Sequence, residues 1–328
     1  MTVCVVTHSK DVDTVSCVTS ALERRDVPVF RLETDRFPTD VRLSLRYGNA
    51  GSELSVADTG RALRSAEIRA VWFRRFDGGA GIPTNLAPDM RHAALLEARA
   101  ALFGWIHSVD AFHFDRVDRV LRAENKPLQL HLARELGLCV PETLITNDPV
   151  EARAFVERQP GGVVVKMLMP ASIVHGGSQR TVFTSELRRD DLSYLQGLRV
   201  APIVFQERID KQRELRATIV GRRVFTASID AARIEGAGLD WRRRPEEVMQ
   251  AWEPASLPQD VEQALLRLTE RLGLNYGAAD LIVTPDGELV FLELNPGGQY
   301  RWLEEHTGLP ISEAIADLLC DPASLRLS

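Results

Sequence analysis

The sequence predicts an α/β protein whose C-terminal part turns α+β. Two features carry this. Up to about residue 85, short apolar runs alternate with stretches of helical spacing, the pattern of a layered α/β unit. From Val163 onward strands dominate, and the helices fall at the ends of the strand runs.

The elements follow in order. Val3–Thr7 is a short buried strand. Asp11 to Arg25 carries Val12, Val15, Val18, Ala21 and Leu22 at helical spacing. Val27–Leu32 is a second strand, and Pro38 with Asp40 marks a turn. Val41–Tyr47 and Glu53–Val56 alternate around Gly48, Asn49 and Gly51, as a hairpin would. Ile68–Phe73 is another buried strand, followed by Arg74, Arg75 and the glycine-rich Asp77–Gly81. A long helix follows Pro88, with Met90, Ala94, Leu95, Ala98, Leu102, Phe103 and Ile106 as its apolar positions. Asn125 to Leu136 is an amphipathic helix with Pro127 in its first turn and Gly137 at its end. The strands Val163–Met167, Arg180–Thr184, Ile203–Glu207, Leu215–Val220 and Val224–Ile229 come next. A helix from Pro258 to Leu272 leads to Ala278–Thr284, a Pro-Asp-Gly turn and Leu289–Asn295. Ser312 to Leu319 is the last helix.

Composition excludes several classes. Among 328 residues, 40 are basic and 46 acidic, a net charge of −6 that disfavours a nucleic-acid binder. No apolar run approaches the roughly 20 residues of a membrane span. The N-terminal apolar stretch gives way to His8, Ser9, Lys10 and Asp11, so it reads as a strand and not as a signal peptide. Cys4, Cys17, Cys139 and Cys320 are scattered, which argues against disulfides and structural zinc and fits a reducing cytoplasm.

Three segments carry chemistry. The first is the hairpin Ala279–Pro296. With Pro285–Glu288 as its loop, Thr284 faces Leu289, and counting back places Asp280 opposite Glu293; Asn295 shares the face of Glu293. Facing carboxylates repel unless a cation sits between them, and an oxygen-only donor set suits Mg²⁺. The same residues also suit a surface hairpin whose acids face water. The second segment runs from Val204 through Gln206, Glu207, Ile209 and Lys211 to Arg216. Glu214, Arg216 and Thr218 share one face of the later strand, and Leu215, Ala217 and Ile219 the other. A Glu with free backbone at a linker can read an adenine edge, a second Glu can hold a ribose diol, and an Arg can grip phosphate. Taken alone, these residues suit a solvated, salt-bridged face better. The third element is a pair of lysines. Lys126 opens a helix, where dipole and ammonium both favour phosphate. Lys166 sits in an apolar strand next to Pro170–Gln179, whose glycines can close over phosphates. Either lysine alone also suits a snorkelling surface group.

The order of these segments resembles the ATP-grasp superfamily, and the resemblance implies their roles. Lys126 and Lys166 would hold the α/β-phosphates. Glu207 and the backbone near Ile209, with Gln206 beside them, would take adenine and Glu214 the ribose. Asp280, Glu293 and Asn295 would bind two Mg²⁺ ions. A closer resemblance spans nearly the whole chain. Ala70-Val71-Trp72-Phe73-Arg74-Arg75, Glu124-Asn125-Lys126-Pro127-Leu128-Gln129-Leu130, Pro141–Asn147, Glu214–Gly221 and Asp240-Trp241-Arg242-Arg243 are similar to segments of the graspetide synthetases, microviridin-type peptide macrocyclases. That resemblance implies an ATP-grasp fold with an N-terminal pre-ATP-grasp domain (1–87), bridging helices (88–124), a central subdomain (125–205) and a C-terminal subdomain (206–328).

The activity implied is ATP-dependent activation of Asp or Glu side chains in a ribosomally made precursor peptide. Ring closure by Ser/Thr hydroxyls or Lys amines would follow. Arg216 is the first candidate for the γ-phosphoryl group, with Arg213 and Arg243 for the acidic side chains of the substrate. A leader segment would dock beside Ser185–Leu198, read as a helix, near Asp190, Asp191 and Tyr194. A homodimer is a further expectation. An amino-acid ligase shares every nucleotide residue, and a nucleotide-binding regulator without turnover is a third reading.

Overall fold

A computed structural model of the chain describes residues 1–49, 51–58, 60–169, 172–175, 178–181, 184–230 and 249–327. The N-terminal part is built on a parallel sheet. Thr2–Thr7 lies between Val29–Glu33 and Ile68–Phe73, and Phe112–His113 joins the far edge. The helix Val12–Glu23 covers one face, burying Val15, Val18, Ala21 and Leu22. The expected hairpin is present as Arg42–Gly48 against Gly51–Ala57, and a third strand, Ala62–Arg64, extends it. The helix Pro88–Ser108 buries Ala98, Leu102, Trp105 and Ile106. Its residues 88–93 are exposed, Met90 included.

Among the described residues, the C-terminal part holds two larger antiparallel sheets besides the two-stranded pair Ser172–His175 and Ser178–Thr181. In the smaller of these two, Val163–Lys166 lies between Ser185–Glu186 and Ile203–Glu207, and Thr143–Thr146 forms the other edge. In the larger, the order is Glu253–Ala255, Arg223–Asp230, Arg213–Val220, Tyr276–Val283, Leu289–Asn295. Leu215, Ala217 and Ile219 bury the face expected of them, packing on Leu265, Leu268 and Leu272 of the helix Gln259–Leu272. That helix stops at Gly273, which adopts φ +78°, the left-handed conformation glycine tolerates.

One apolar cluster spans both ends of the chain. Val3, Val15, Val18, Trp72 and Phe114 pack with Tyr276, Tyr300 and the helix Ile311–Cys320. Arg25 ties the same helices through Glu313 (2.7 Å) and Asp317 (2.5 Å). The N-terminal sheet is thereby fastened directly against the end of the chain.

Two elements differ from expectation. Residues 185–198 form no α-helix: Ser185–Glu186 is a strand and Arg189–Val200 a 3₁₀ helix. The reason is visible in Leu192, Leu195 and Leu198, spaced three apart; a three-residue turn stacks them on one side, where Leu195 and Leu198 are buried. The strand expected at Arg180–Thr184 is Ser178–Thr181, paired antiparallel with Ser172–His175. The rest of the expected phosphate loop, like Arg243 and the Asp240–Arg243 segment, lies outside the described residues.

Candidate active site

The acidic hairpin occupies the last two strands of the larger sheet. Its turn is one residue off the expected count: Val283, not Thr284, faces Leu289. Leu292 is then a bulge with no partner, so the register shifts between Leu281 opposite Phe291 and Asp280 opposite Glu293. The two offsets cancel, and the two carboxylates face each other across the strands. Asn295 Nδ2 donates to Asp280 Oδ2 at 3.0 Å and to Glu293 Oε1 at 3.3 Å.

The strand carrying Glu293 is the edge of its sheet, and its outer backbone groups are served by other parts of the chain. Phe291 N–H donates to the Cys139 carbonyl at 2.8 Å. Farther along, the Gln129 side chain imitates a strand. Its Oε1 accepts from Leu294 N–H at 2.9 Å, and its Nε2 donates to the carbonyls of Leu294 (2.7 Å) and Ala123 (2.6 Å). Gln129 lies in the helix Lys126–Glu135, capped by Asn125 accepting from Leu128 N–H. The clamp therefore sets Lys126, the first residue of that helix, against the hairpin.

Cations surround the acids. The Lys126 ammonium pairs with Glu293. Arg216, directly opposite Asp280 on the neighbouring strand, donates from Nη1 to Asp280 Oδ1 at 2.6 Å. Burial would raise the Glu293 pKa, but Lys126 first, then Lys166 and Asn295, outweigh it and hold the carboxyl well below its ordinary value. Burial works against the charge of Arg216, yet Asp280 more than compensates, so this buried guanidinium stays charged. Its Nε is buried and unpartnered.

The other expected residues lie on the adjoining elements. Lys166 ends its strand, and its Nζ donates to Gln206 Oε1 at 2.7 Å; Gln206 Nε2 donates in turn to Thr143 Oγ1 at 2.9 Å. Glu207 Oε1 accepts from Glu142 N–H at 2.8 Å, where Ile203–Glu207 gives way to the link containing Ile209. Glu214 pairs with Lys211 on that link. Arg213 is not brought to the cluster. It belongs to the opposite face of the strand from Arg216, by the two-residue alternation, and donates to Ser228 Oγ at 2.6 Å. Asp190 and Tyr194 stand exposed on the 3₁₀ segment, while Asp191 Oδ2 accepts from Arg188 N–H and caps it.

Several contacts around the site were not announced by the sequence. Gln129 looks like a polar position of an amphipathic helix. Lys211 carries only the weak signal of a lysine three residues before Glu214. Arg74 and Gln299 meet across more than two hundred residues, a contact no local spacing announces.

The donor set at the hairpin is two carboxylates and an amide, and turning the Asn295 amide over would present Oδ1 beside them. All-oxygen donors of this kind fit Mg²⁺, which keeps other positions for phosphate and water. Among the described residues no three His, Cys, Asp or Glu side chains gather into a metal cluster.

Residues 2–121 match the model of the MvdD pre-ATP grasp domain, and residues 123–319 match that of the RimK-like ATP-grasp domain. The chain is similar to the macrocyclase MdnC from Microcystis aeruginosa MRC, solved bound with precursor peptide MdnA. Identity is 39%, covering 98% of this chain and 99% of that one, with a TM-score of 0.89. This chain belongs to the ATP-grasp ligases, in their graspetide-synthetase branch. It is also similar to the RiPP-associated ATP-grasp ligase of Chryseobacterium gregarium, solved in complex with ADP and a leader and core peptide. That match has 34% identity, 99% and 98% coverage and a TM-score of 0.94. Probable alpha-L-glutamate ligases are more distant. The one from Haemophilus influenzae (strain PittEE) is 24% identical over 292 residues, 85% of this chain and 93% of its own length. That from Histophilus somni (strain 2336) is 24% identical over 196 residues, and the match spans only 62% of its length. Among the described residues of this ATP-grasp ligase, no helix is long and apolar enough to cross a membrane.

Proposed function

We propose that this ligase is an ATP- and Mg²⁺-dependent macrocyclase of a ribosomally made precursor peptide. An Asp or Glu side chain of the peptide takes the γ-phosphoryl group of ATP, giving an acyl phosphate and ADP. A Ser or Thr hydroxyl, or a Lys amine, then attacks the acyl carbon. The carbon–oxygen bond to phosphate breaks, inorganic phosphate leaves, and the nucleophile's proton is released. Each ring costs the peptide one water. The observation that carries the proposal is the Asp280–Glu293–Asn295 hairpin ringed by Lys126 and Arg216. It sits in a chain similar over nearly its full length to a macrocyclase solved with its precursor peptide.

In this reading Asp280, Glu293 and Asn295 hold two Mg²⁺ ions, whose chemistry is to neutralise phosphate charge during transfer. Lys126 and Lys166 bind the α/β-phosphates, and Gln206 fixes Lys166. Glu207 and the backbone at Ile209 take adenine, and Glu214 takes the ribose. Arg216 stabilises the transferring γ-phosphoryl group and the acyl phosphate. Each of the carboxylates Glu293, Asp280 and Glu214 is paired with a cation, so binding exchanges partners and does not expose bare charge. Arg243 is kept as a candidate for the acidic substrate side chains, and Asp190, Asp191 and Tyr194 as a candidate leader surface.

The test is mass spectrometry of an acidic, Ser/Thr-bearing candidate precursor peptide, after incubation with the protein, ATP, Mg²⁺ and free amino acids. ATP-dependent loss of one water per ring is expected. A gain of one amino-acid residue would assign an amino-acid ligase instead.

A further inference from the structure

Arg74 is buried and comes from the end of a strand in the N-terminal sheet. It follows the strand Ile68–Phe73, and its N–H donates to the Val6 carbonyl at 2.9 Å. Its guanidinium crosses to the loop that follows Asn295. Nη1 donates to the Gly297 carbonyl at 3.1 Å and Nη2 to Gln299 Oε1 at 2.7 Å. Behind it stands Asp11, 3.7 Å from Arg74 Nε and itself accepting from Thr7 Oγ1 at 2.8 Å.

The same loop is held from two other directions. The Gly298 carbonyl accepts from Tyr276 OH at 2.7 Å, and the Gln299 carbonyl is 3.4 Å from Arg216 Nη2. Three consecutive carbonyls thus face three side-chain donors: Arg74, Tyr276 and Arg216. Burial keeps the Tyr276 hydroxyl protonated, its pKa pushed up to about 12, so it remains a donor. The fit is close. A Cβ on Gly298 would stand 2.6 Å from Ala278 Cβ and 2.8 Å from Arg216 Nη2.

We infer that Arg74 is a positioning residue for Arg216, acting through the Gly297–Gln299 loop, so that the N-terminal domain sets the geometry of phosphoryl transfer. The inference rests on the role proposed for Arg216. A guanidinium suits the task because one rigid fork reaches a backbone carbonyl and a side-chain amide together, which an ammonium does not.

The test uses Arg74→Ala, Arg74→Lys and Gly298→Ala in the full chain labelled with ¹⁵N-arginine. Arg216→Ala assigns the Arg216 Nε–H signal. Arg74→Ala and Gly298→Ala are expected to speed hydrogen exchange at Arg216 Nε by at least about tenfold, while the affinity for ADP with Mg²⁺ stays within a factor of about two. With a candidate precursor peptide that the wild-type protein cyclises as substrate, kcat is expected to fall roughly 100-fold, the order of loss for a misplacement of ~1 Å. Arg74→Lys is expected to recover only part of it. Unchanged Arg216 exchange in both Arg74→Ala and Gly298→Ala overturns the inference. So does equal loss of nucleotide affinity and kcat, which marks a general structural role. If the wild-type protein closes no ring while Arg216 exchange still responds, the proposed reaction fails and the coupling stands.

Discussion

Replacing Gln129 with Leu removes the clamp on the edge strand while keeping a helix-forming residue of similar size. Three hydrogen bonds go, to Leu294 N–H and to the carbonyls of Leu294 and Ala123. Gln129 is 3% exposed, so water does not take its place. At about 1 kcal/mol per bond the loss is about 3 kcal/mol, and the stranded Leu294 N–H raises it further. For a chain of this size that corresponds to a fall in Tm of roughly 5–10 °C. Because the clamp also sets Lys126 against Glu293, Mg²⁺-dependent nucleotide affinity is expected to drop about tenfold or more. Differential scanning fluorimetry and calorimetric titration with ADP and Mg²⁺ read the two effects. Gln129→Glu sharpens the test, since a carboxylate still accepts from Leu294 N–H but opposes two carbonyl oxygens. It is expected to be worse than Leu near neutral pH. A Gln129→Leu protein with wild-type Tm and wild-type affinity refutes the assignment.

Glu293→Gln is expected to abolish ring formation while leaving the fold intact by circular dichroism; retained turnover removes Glu293 from the metal site. Arg216→Ala is expected to lower kcat by about 10²- to 10³-fold with little change in ATP affinity, as for loss of a donor to a developing negative charge. A pure rise in the nucleotide dissociation constant would make Arg216 a binding residue. Lys126→Met is expected to cost about 2 kcal/mol near neutral pH, below the value for a fully buried pair because both side chains are about a quarter exposed (24% and 22%). The Glu293 carboxyl is depressed in the folded protein, so its stabilisation is present above the ordinary value of 4.5 and fades as pH falls below it. The gap between variant and wild type should therefore close on acidification, and a gap constant down to pH 3 argues against the ion pair as its source.

Much of the architecture was legible because it is written in local periodicity. The two-residue alternation of Leu215, Ala217 and Ile219 against Glu214, Arg216 and Thr218 separated core face from site face. Pro127 and Gly137 bracketed the helix of Lys126. What escaped was set by contacts between distant parts. Nothing near Gln129 in sequence says that its amide serves a strand 165 residues away. The sequence sets Arg74 beside Arg75 after a strand, and only the fold brings it to Gly297 and Gln299. The period of three in Leu192, Leu195 and Leu198 reads as a coarse helix until packing selects the tighter turn. Arg213, expected at the acidic side chains of the substrate, lies on the face of its strand opposite Arg216, as the two-residue alternation requires.

The unpaired Leu292 gives the hairpin a spare residue. Beyond it, Leu294 is pinned by Gln129; before it, Phe291 is pinned by Cys139. Losing one codon between the turn and Glu293 could be absorbed by flattening the bulge, with Asp280 still opposite Glu293. Losing one after Glu293 has no such slack, and would carry Asn295 off the face it shares with the carboxylates. Length variation in this hairpin should therefore be permitted on the turn side and forbidden on the Asn295 side, an asymmetry that one bulge imposes on how the segment can evolve.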